Sequence, residues 1–306
     1  MIHKPDQPLV TVGMPVYNGM PAFEEALGSV LVQDYPRLDI LISDNASTDG
    51  TQELCRRTAA ACSHVRYVRN AQNLGPLANF CQVVTMARGE YFMWAAHDDL
   101  WNPGFVSALA GCLDRMPEAV LATPRVHHVK TGDPTDRVYH VTPAAGPRGL
   151  VGSLRSFYRH RAAAWIYGLY RTPWLQSHIY EFQSEGYPLI TTDILWLASL
   201  MLRRPITGSD GAVLTKRERL SPYAPRTEAD RLRLALTMWS HLSRMCRRYP
   251  PTRVQRWAAL LVSRHYLVRR YFLGGNLLKI GPRLVLLPRL IAERTGLPAA
   301  DGGQPS

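Results

Sequence analysis

The sequence predicts an α/β fold: a doubly wound, mostly parallel sheet followed by a C-terminal helical appendage. Three observations carry that expectation. Short apolar, β-branched runs alternate with amphipathic stretches of about ten to fifteen residues between positions 9 and 126, the pattern of a parallel sheet with helices on both faces. Polar clusters follow directly on three of those runs. The net positive charge is confined to the last quarter of the chain, which sets the final helices apart.

In chain order, residues 9–16, LVTVGMPV, read as a buried strand. Pro21 opens a helix with Glu24 and Glu25 in its first turn, where the helix dipole favours acids, and Phe23, Leu27, Val30 and Leu31 give it a core face. Residues 38–43, LDILIS, form a second strand, and Thr48 or Asp49 caps a helix running to about Cys62. A third short strand covers 65–68, and Pro76 starts a helix that Arg88-Gly89 ends. Residues 91–96, YFMWAA, are a fourth strand running into His97-Asp98-Asp99. Pro103 begins another helix, and AVLATPRV (119–126) is a fifth strand. Beyond 130 the pattern loosens: a helix near 150–162, an aromatic stretch WIYGLY at 165–170, a strong helix over 192–203, a strand at 212–217, and long helices over about 227–249 and 252–272. A Pro-broken apolar segment occupies 276–294.

Composition bounds the function. Hydrophobic residues make up 46% and charged residues 20% of 306, which fits a packed globular chain and argues against disorder. The 36 Lys and Arg exceed the 24 Asp and Glu by 12, and residues 231–306 hold 14 of the basic residues against only Glu293 and Asp301. That asymmetry predicts a boundary near residue 230 and an anionic partner for the tail. Five cysteines, an odd number without a CxxC pair, argue against a disulfide framework or a zinc site and fit a reducing cytoplasm. The N-terminus lacks an apolar core after a basic start, and no run approaches the ~18–20 apolar residues of a membrane span. The expected location is cytoplasmic, peripheral at the inner face of the membrane.

In doubly wound sheets ligands bind beyond the carboxyl ends of the strands. The residues to read are therefore Tyr17-Asn18, Ser43-Asp44-Asn45 and His97-Asp98-Asp99. Two adjacent carboxylates at a strand end suit Mg2+ or Mn2+, which share oxygen ligands with substrate phosphates; the competing reading is a helix-cap cluster ahead of Pro103. Asp44 can accept hydrogen bonds from a nucleobase or ribose, or can simply form a turn, and Asp49 reads as a cap. Asn73-Leu74-Gly75 leads into the helix that carries Asn79, and Gly75 permits a positive φ.

The order PVYNG (15–19), SDNASTDGT (43–51), NLGPLAN (73–79), WAAHDDLWNPGF (94–105) resembles the N-terminal half of family 2 glycosyltransferases with the GT-A fold. The match is clear over about 8–125 and softer to about 220. The resemblance implies an inverting, nucleotide-sugar-dependent transferase whose catalytic domain spans 1–225, with a donor half at about 8–125 and an acceptor half at about 126–225, followed by a basic helical region at 226–306. It implies that Pro15, Tyr17, Asn18 and Asn73 border the donor, that Asp44 meets the base, and that Asp98 lies near the ribose or diphosphate. Asp99 is implied as the ligand of the divalent cation, Mg2+ or Mn2+. This chain departs from the commonest motif in having Ala96 where many members place a further acid. The segment EGYPLITTDILWLASLMLRRP (185–205) resembles the stretch that supplies the family's general base, which puts Asp193 in that role; its other reading is a helix cap. As a base, Asp193 is expected to be kept ionised by the helix dipole.

Trp165, Tyr167 and Tyr170 read as sugar-stacking or core aromatics, and Lys216, Arg217 and Arg219 as phosphate contacts or a solvated loop. The basic, Trp- and Leu-rich stretch 231–294 suits an anionic membrane surface or a helical bundle packed on the catalytic domain. The expected substrates are a nucleotide-sugar donor, UDP- or dTDP-linked, and a glycan or lipid-linked acceptor; no nucleic-acid motif is present. The rival functions are a non-catalytic nucleotide-sugar or glycan-binding module and a sugar-nucleotide pyrophosphorylase. The latter's basic Gly-rich loop is missing from PVYNGMPA, and no GxGxxG follows the first strand as a dehydrogenase would need.

Overall fold

The structure, a computed structural model, describes residues 7–130, 149–160, 162–184, 189–218, 225–250 and 252–271. The predicted 276–294 segment lies outside the described residues. Four parallel strands form the first half of the sheet: β1 (Val10–Val16), β2 (Leu38–Asp44), β3 (Val65–Arg69) and β4 (Tyr91–Trp94), in the spatial order β3-β2-β1-β4. Helices α1 (Ala22–Leu31), α2 (Thr51–Ala61) and α3 (Pro76–Thr85) make the crossovers between them. β1 is buried at every position and β4 likewise, so both read as continuous apolar runs.

The sheet continues through segments the sequence reading did not resolve. After β4 comes a two-residue strand, β5 (Leu100–Trp101), then α4 (Phe105–Arg115) and β6 (Leu121–Lys130). Helix α5 (Gly149–His160) and a 3-10 turn (Ala163–Tyr167) lead to β7 (Leu169–Arg171), which is antiparallel to both β4 and β6 and fills the gap between them. The aromatic stretch expected at 165–170 therefore contributes a strand. Gly168 is what lets it enter: a Cβ there would collide with the backbone carbonyl of Ala122. Helix α6 (Thr172–Ser184) follows β7 directly, and α7 (Thr192–Arg203) matches the expected helix at both ends.

β8 (Ile206–Glu218) is longer than the 212–217 predicted. Its first half, Thr207-Gly208-Ser209-Asp210-Gly211, has turn-like composition; Thr207, Gly208 and Ser209 pair in parallel with Ala122, Thr123 and Pro124 of β6, and the register then passes over residues 210–212 before Arg125 meets Val213. β5 pairs antiparallel with the far end of β8, completing the order β3-β2-β1-β4-β7-β6-β8-β5.

The last two helices, α8 (Glu228–Arg248) and α9 (Arg253–Tyr271), form a hairpin. Thr227 caps α8 by accepting from the Asp230 N–H, and the Asp230 carboxylate accepts from the Thr227 N–H in return. Met238, Leu242, Cys246, Ala259, Tyr266 and Leu267 join the same buried core as the sheet. Tyr266 stacks on Tyr158 of α5 at 4.4 Å, and Arg203 at the end of α7 lies over the Tyr249 ring at 3.8 Å while bonding Glu181. No helix among the described residues is long and apolar enough to cross a membrane.

Candidate active site

The polar strand ends selected from sequence lie along one rim of the parallel strands. β1 ends at Val16, and Asn18 follows with φ 47°, in the left-handed region. Its amide accepts from the Thr48 N–H at 2.8 Å, and its own N–H donates to the Ser47 hydroxyl at 2.9 Å. This stitches the loop after β1 to the loop after β2. Neither Thr48 nor Asp49 takes the N-cap of α2, which is Gly50 in the left-handed region; Asp49 instead ties the two loops together by accepting from the N–H of Thr51 and of Met20. Asn73 accepts from Asn45 and from the Gly75 N–H, both at 2.8 Å, where Gly75 has φ 85°. Pro15 is buried at the end of β1, whereas Tyr17 is 45% exposed at the mouth.

Asp44 is fully buried. One carboxylate oxygen accepts from the Ser47 N–H at 2.8 Å; the other accepts from Tyr67 at 3.0 Å and Arg69 at 2.5 Å. Burial alone would raise its pKa, but the bonds from Ser47, Arg69 and Tyr67 outweigh that and hold the carboxyl below its ordinary range. Sequence reading missed both Tyr67 and Arg69. A signal was available: β3 alternates, so residues 67 and 69 share a face, and the parallel register sets Arg69 beside Asp44.

β1 separates β2 from β4, so the two strands that lead to Asp44 and to Asp98-Asp99 run about 10 Å apart. Asp98 is half-buried and Asp99 fully buried, with half-buried His97 before them. Lys216 Nζ donates to one Asp99 oxygen at 2.8 Å and the Arg217 N–H to the other at 3.0 Å. The predicted basic group after the last strand is therefore inside β8, with Lys216 in an ion pair and Arg217 bonded to Glu25. Arg219 lies outside the described residues. Lys216 also sits 4.9 Å above the Tyr167 ring. Burial would lower the Lys216 pKa, but Tyr167, Asp99 and Asp98 raise it above the ordinary lysine range.

Asp193 stands in the first turn of α7, two residues after Thr191, which takes the N-cap place. Its carboxylate accepts from the Ile194 N–H at 2.8 Å. Burial pushes its pKa up to about 6, against the lowering effects of that N–H, Lys216 and Arg270. The expectation that the helix dipole would keep it strongly acidic is thus corrected: desolvation outweighs the dipole here. Tyr167 feels Lys216, Asp99, Asp193 and Asp98 together, and burial drives its own pKa to about 12. These residues come from four separate segments and form one charged neighbourhood. Trp165 and Tyr170, by contrast, are fully buried core aromatics and have no face for a sugar.

Both Asp99 oxygens are engaged by N–H donors, one of them an ammonium that a metal would have to displace. No group of three or more His, Cys, Asp or Glu side chains is placed to hold a metal ion among the described residues. The side chains do not fit a cation held by Asp99.

A mixed, mostly parallel sheet flanked by helices in this order is the GT-A glycosyltransferase fold. Residues 11–176 match glycosyl transferase family 2, and the chain belongs to that family. Among curated relatives, the abequosyltransferase RfbV of Salmonella typhimurium is 36% identical over 116 residues, which cover 37% of this chain and 35% of that protein. The putative colanic acid biosynthesis glycosyl transferase WcaA of Escherichia coli is 33% identical over 102 residues, 33% of this chain and 37% of that one. The aligned stretch thus spans about a third of these relatives. The crystal structure of S. aureus TarS 1-349 superposes with a TM-score of 0.65 at 16% identity, covering 92% of this chain and 77% of that one. The mannosyltransferase PcManGT of Pyrobaculum calidifontis, in complex with GDP-Man and Mn2+, has a TM-score of 0.54 at 21% identity, over 95% of this chain and 84% of that one. These likenesses establish the fold.

Proposed function

We propose that the chain is an inverting glycosyltransferase that moves a sugar from a UDP- or dTDP-sugar to a hydroxyl of a glycan or lipid-linked acceptor. One observation carries this reading: Asp193 at the start of α7 shares one electrostatic neighbourhood with the strand-end pair Asp98-Asp99, through Lys216 and Tyr167. A half-buried carboxyl with a pKa near 6 is mostly ionised at neutral pH and still basic enough to take a proton, which suits a general base better than a passive binding module. The acceptor oxygen attacks the anomeric carbon, its proton passes to Asp193, and the bond from that carbon to the diphosphate oxygen breaks. The nucleoside diphosphate leaves from the opposite face.

On this reading Pro15, Tyr17, Asn18, Asp44 and Asn73 border the nucleotide. Asp44, held ionised by Arg69, presents its strand end to the base. Asp98 faces the ribose and diphosphate. Mg2+ or Mn2+ is the cofactor expected of the family, and the PcManGT structure is a complex with GDP-Man and Mn2+. A cell-envelope polysaccharide is the product class, in line with the colanic acid and abequosyl relatives. The test is a screen of purified protein against UDP-, dTDP- and GDP-sugars for donor binding and hydrolysis, with and without Mn2+. Absence of binding to every donor in both conditions would overturn the proposal.

A further inference from the structure

Helix α9 has two unlike faces. On one side Ala259, Ser263, Tyr266 and Leu267 are buried; Ser263 bonds Tyr158 of α5 at 3.2 Å and lies against Cys246 of α8. On the other side Val254, Trp257 and Leu261 recur at helical spacing and are 78%, 69% and 63% exposed. Large apolar side chains stacked on one exposed face are not needed to close the core, which the opposite face already does. Beside them a groove of about 500 Å³ runs between α8 and α9, lined by Trp239, Trp257, Leu261, Arg247, Arg256 and Arg264.

The charge on this surface has one sign. From Asp230 to Glu293 the sequence contains no acidic residue, and residues 231–271 alone carry ten arginines. Apolar side chains ringed by arginine are the composition of a helix lying in a bilayer interface, where the rings and aliphatic chains enter the acyl boundary and the cations meet lipid phosphates. A polyanion without an apolar phase would engage the arginines but leave Val254, Trp257 and Leu261 in water. The segment that follows, residues 272–306, is a poor cover for the groove on charge grounds, since it brings Lys279, Arg283, Arg289 and Arg294 to a surface already basic.

We infer that the exposed face of α9, with the adjoining α8 groove, docks this chain on an anionic lipid bilayer. The helix then links membrane to chemistry. Arg270, near its C-terminal end, acts on Asp193, and thirteen residues separate it from Trp257, about 20 Å along the axis. A sugar carried on a lipid headgroup would thus be presented within one helix length of the proposed base. The inference deepens the transferase proposal by favouring its lipid-linked acceptor and rests on it for that purpose; the docking itself does not depend on it.

The test is co-sedimentation of the full chain with vesicles of phosphatidylcholine alone and of phosphatidylcholine mixed with phosphatidylglycerol, compared with two variants. One combines Trp257→Ser and Leu261→Ser; the other combines Arg247→Gln, Arg253→Gln and Arg264→Gln. The wild type is expected to bind the anionic vesicles, to release them at high salt, and to ignore the neutral ones. The apolar variant should lose about tenfold or more in partition, and the arginine variant on the order of a hundredfold. All five positions are exposed or half-buried, so thermal unfolding should be unchanged; if a combined variant unfolds, Trp257→Ser alone replaces it. Equal binding by wild type and variants overturns the inference. So does equal binding to neutral vesicles, or binding to an RNA homopolymer or acidic polysaccharide without binding to vesicles. Donor hydrolysis is measured in parallel: vesicle binding without hydrolysis counts against the transferase proposal alone, and hydrolysis without vesicle binding against the docking alone.

Discussion

Lys216 and Asp99 are joined across the sheet edge, ammonium to carboxylate at 2.8 Å. The antiparallel register of β5 with β8 sets this pairing. Leu100 lies opposite Thr215, so the residue before one and the residue after the other become neighbours. Asp99 is fully buried, while the Lys216 side chain keeps 25% of its exposure. Lys216→Met should therefore destabilise the fold by about 3 kcal/mol, at the low end of the cost of stranding a buried charge. Adding Asp99→Asn should restore most of it, since Asn still accepts the Arg217 N–H. Denaturant unfolding of the two single variants and the double variant measures the coupling.

If Asp99 is committed to Lys216, a divalent ion has little to hold before the donor arrives. Calorimetric titration of Mn2+ into the donor-free protein should give no saturable binding below the millimolar range, and adding a nucleoside diphosphate should create it. Tight Mn2+ binding to the donor-free protein, abolished by Asp99→Asn, would return Asp99 to the role of ligand.

Asp193→Asn should lower kcat by about 100- to 10,000-fold with donor affinity unchanged, the range for removing a general base. The kcat of the wild type should fall as pH drops through about 6, where the carboxyl takes up a proton. Single-turnover rates and donor titrations separate the two quantities.

The same carboxyl makes a prediction for stability. Its folded pKa, about 6, lies above the roughly 3.9 of an unfolded chain. Between those values the folded protein holds a proton that the unfolded chain has released, so this group's contribution to stability falls as pH rises through the window. Asp193→Asn removes that loss. Its Tm should match wild type near pH 4 and exceed it above pH 7, by up to about 3 kcal/mol in stability and less after solvent screening. A Tm difference independent of pH would contradict the assignment.

Arg69→Leu removes the shortest hydrogen bond to buried Asp44 and leaves Tyr67 and Ser47 to hold the charge. A loss of about 1–3 kcal/mol in stability is expected, together with weaker nucleotide binding if this strand end meets the base. Arg69→Lys should recover part of both.

The N-terminal half of the sheet was legible in the sequence because its signals are local. β1, β2 and β4 are unbroken apolar runs, and each leads straight to the polar residues that matter. β5 and β7 were not legible: two or three residues carry no periodicity, and only their neighbours in space define them. Thr207-Gly208-Ser209 has turn composition and still forms strand, because Ala122, Thr123 and Pro124 of β6 lie opposite it. At the site, Asp193 could be placed from the motif order, yet the position of Lys216 beside Asp99 depends on β8 pairing with β5 and β6, which no local signal carries. The direction of the Asp193 pKa shift was missed for a related reason. A helix dipole can be read from sequence, whereas the burial that overrides it depends on what packs around the first turn of α7.

The insertion of β7 between β4 and β6 bears on how the chain is made. At the ribosome, β1 to β4 are complete by residue 94, but the open side of β4 gains its partner only when Leu169–Arg171 emerges. At ordinary elongation speeds of about 5–20 residues per second, that leaves a bare apolar strand edge for several seconds. Nascent chains cut between 95 and 168 should accordingly be the most dependent on chaperones and the quickest to self-associate, and release from that state should coincide with the appearance of a three-residue strand.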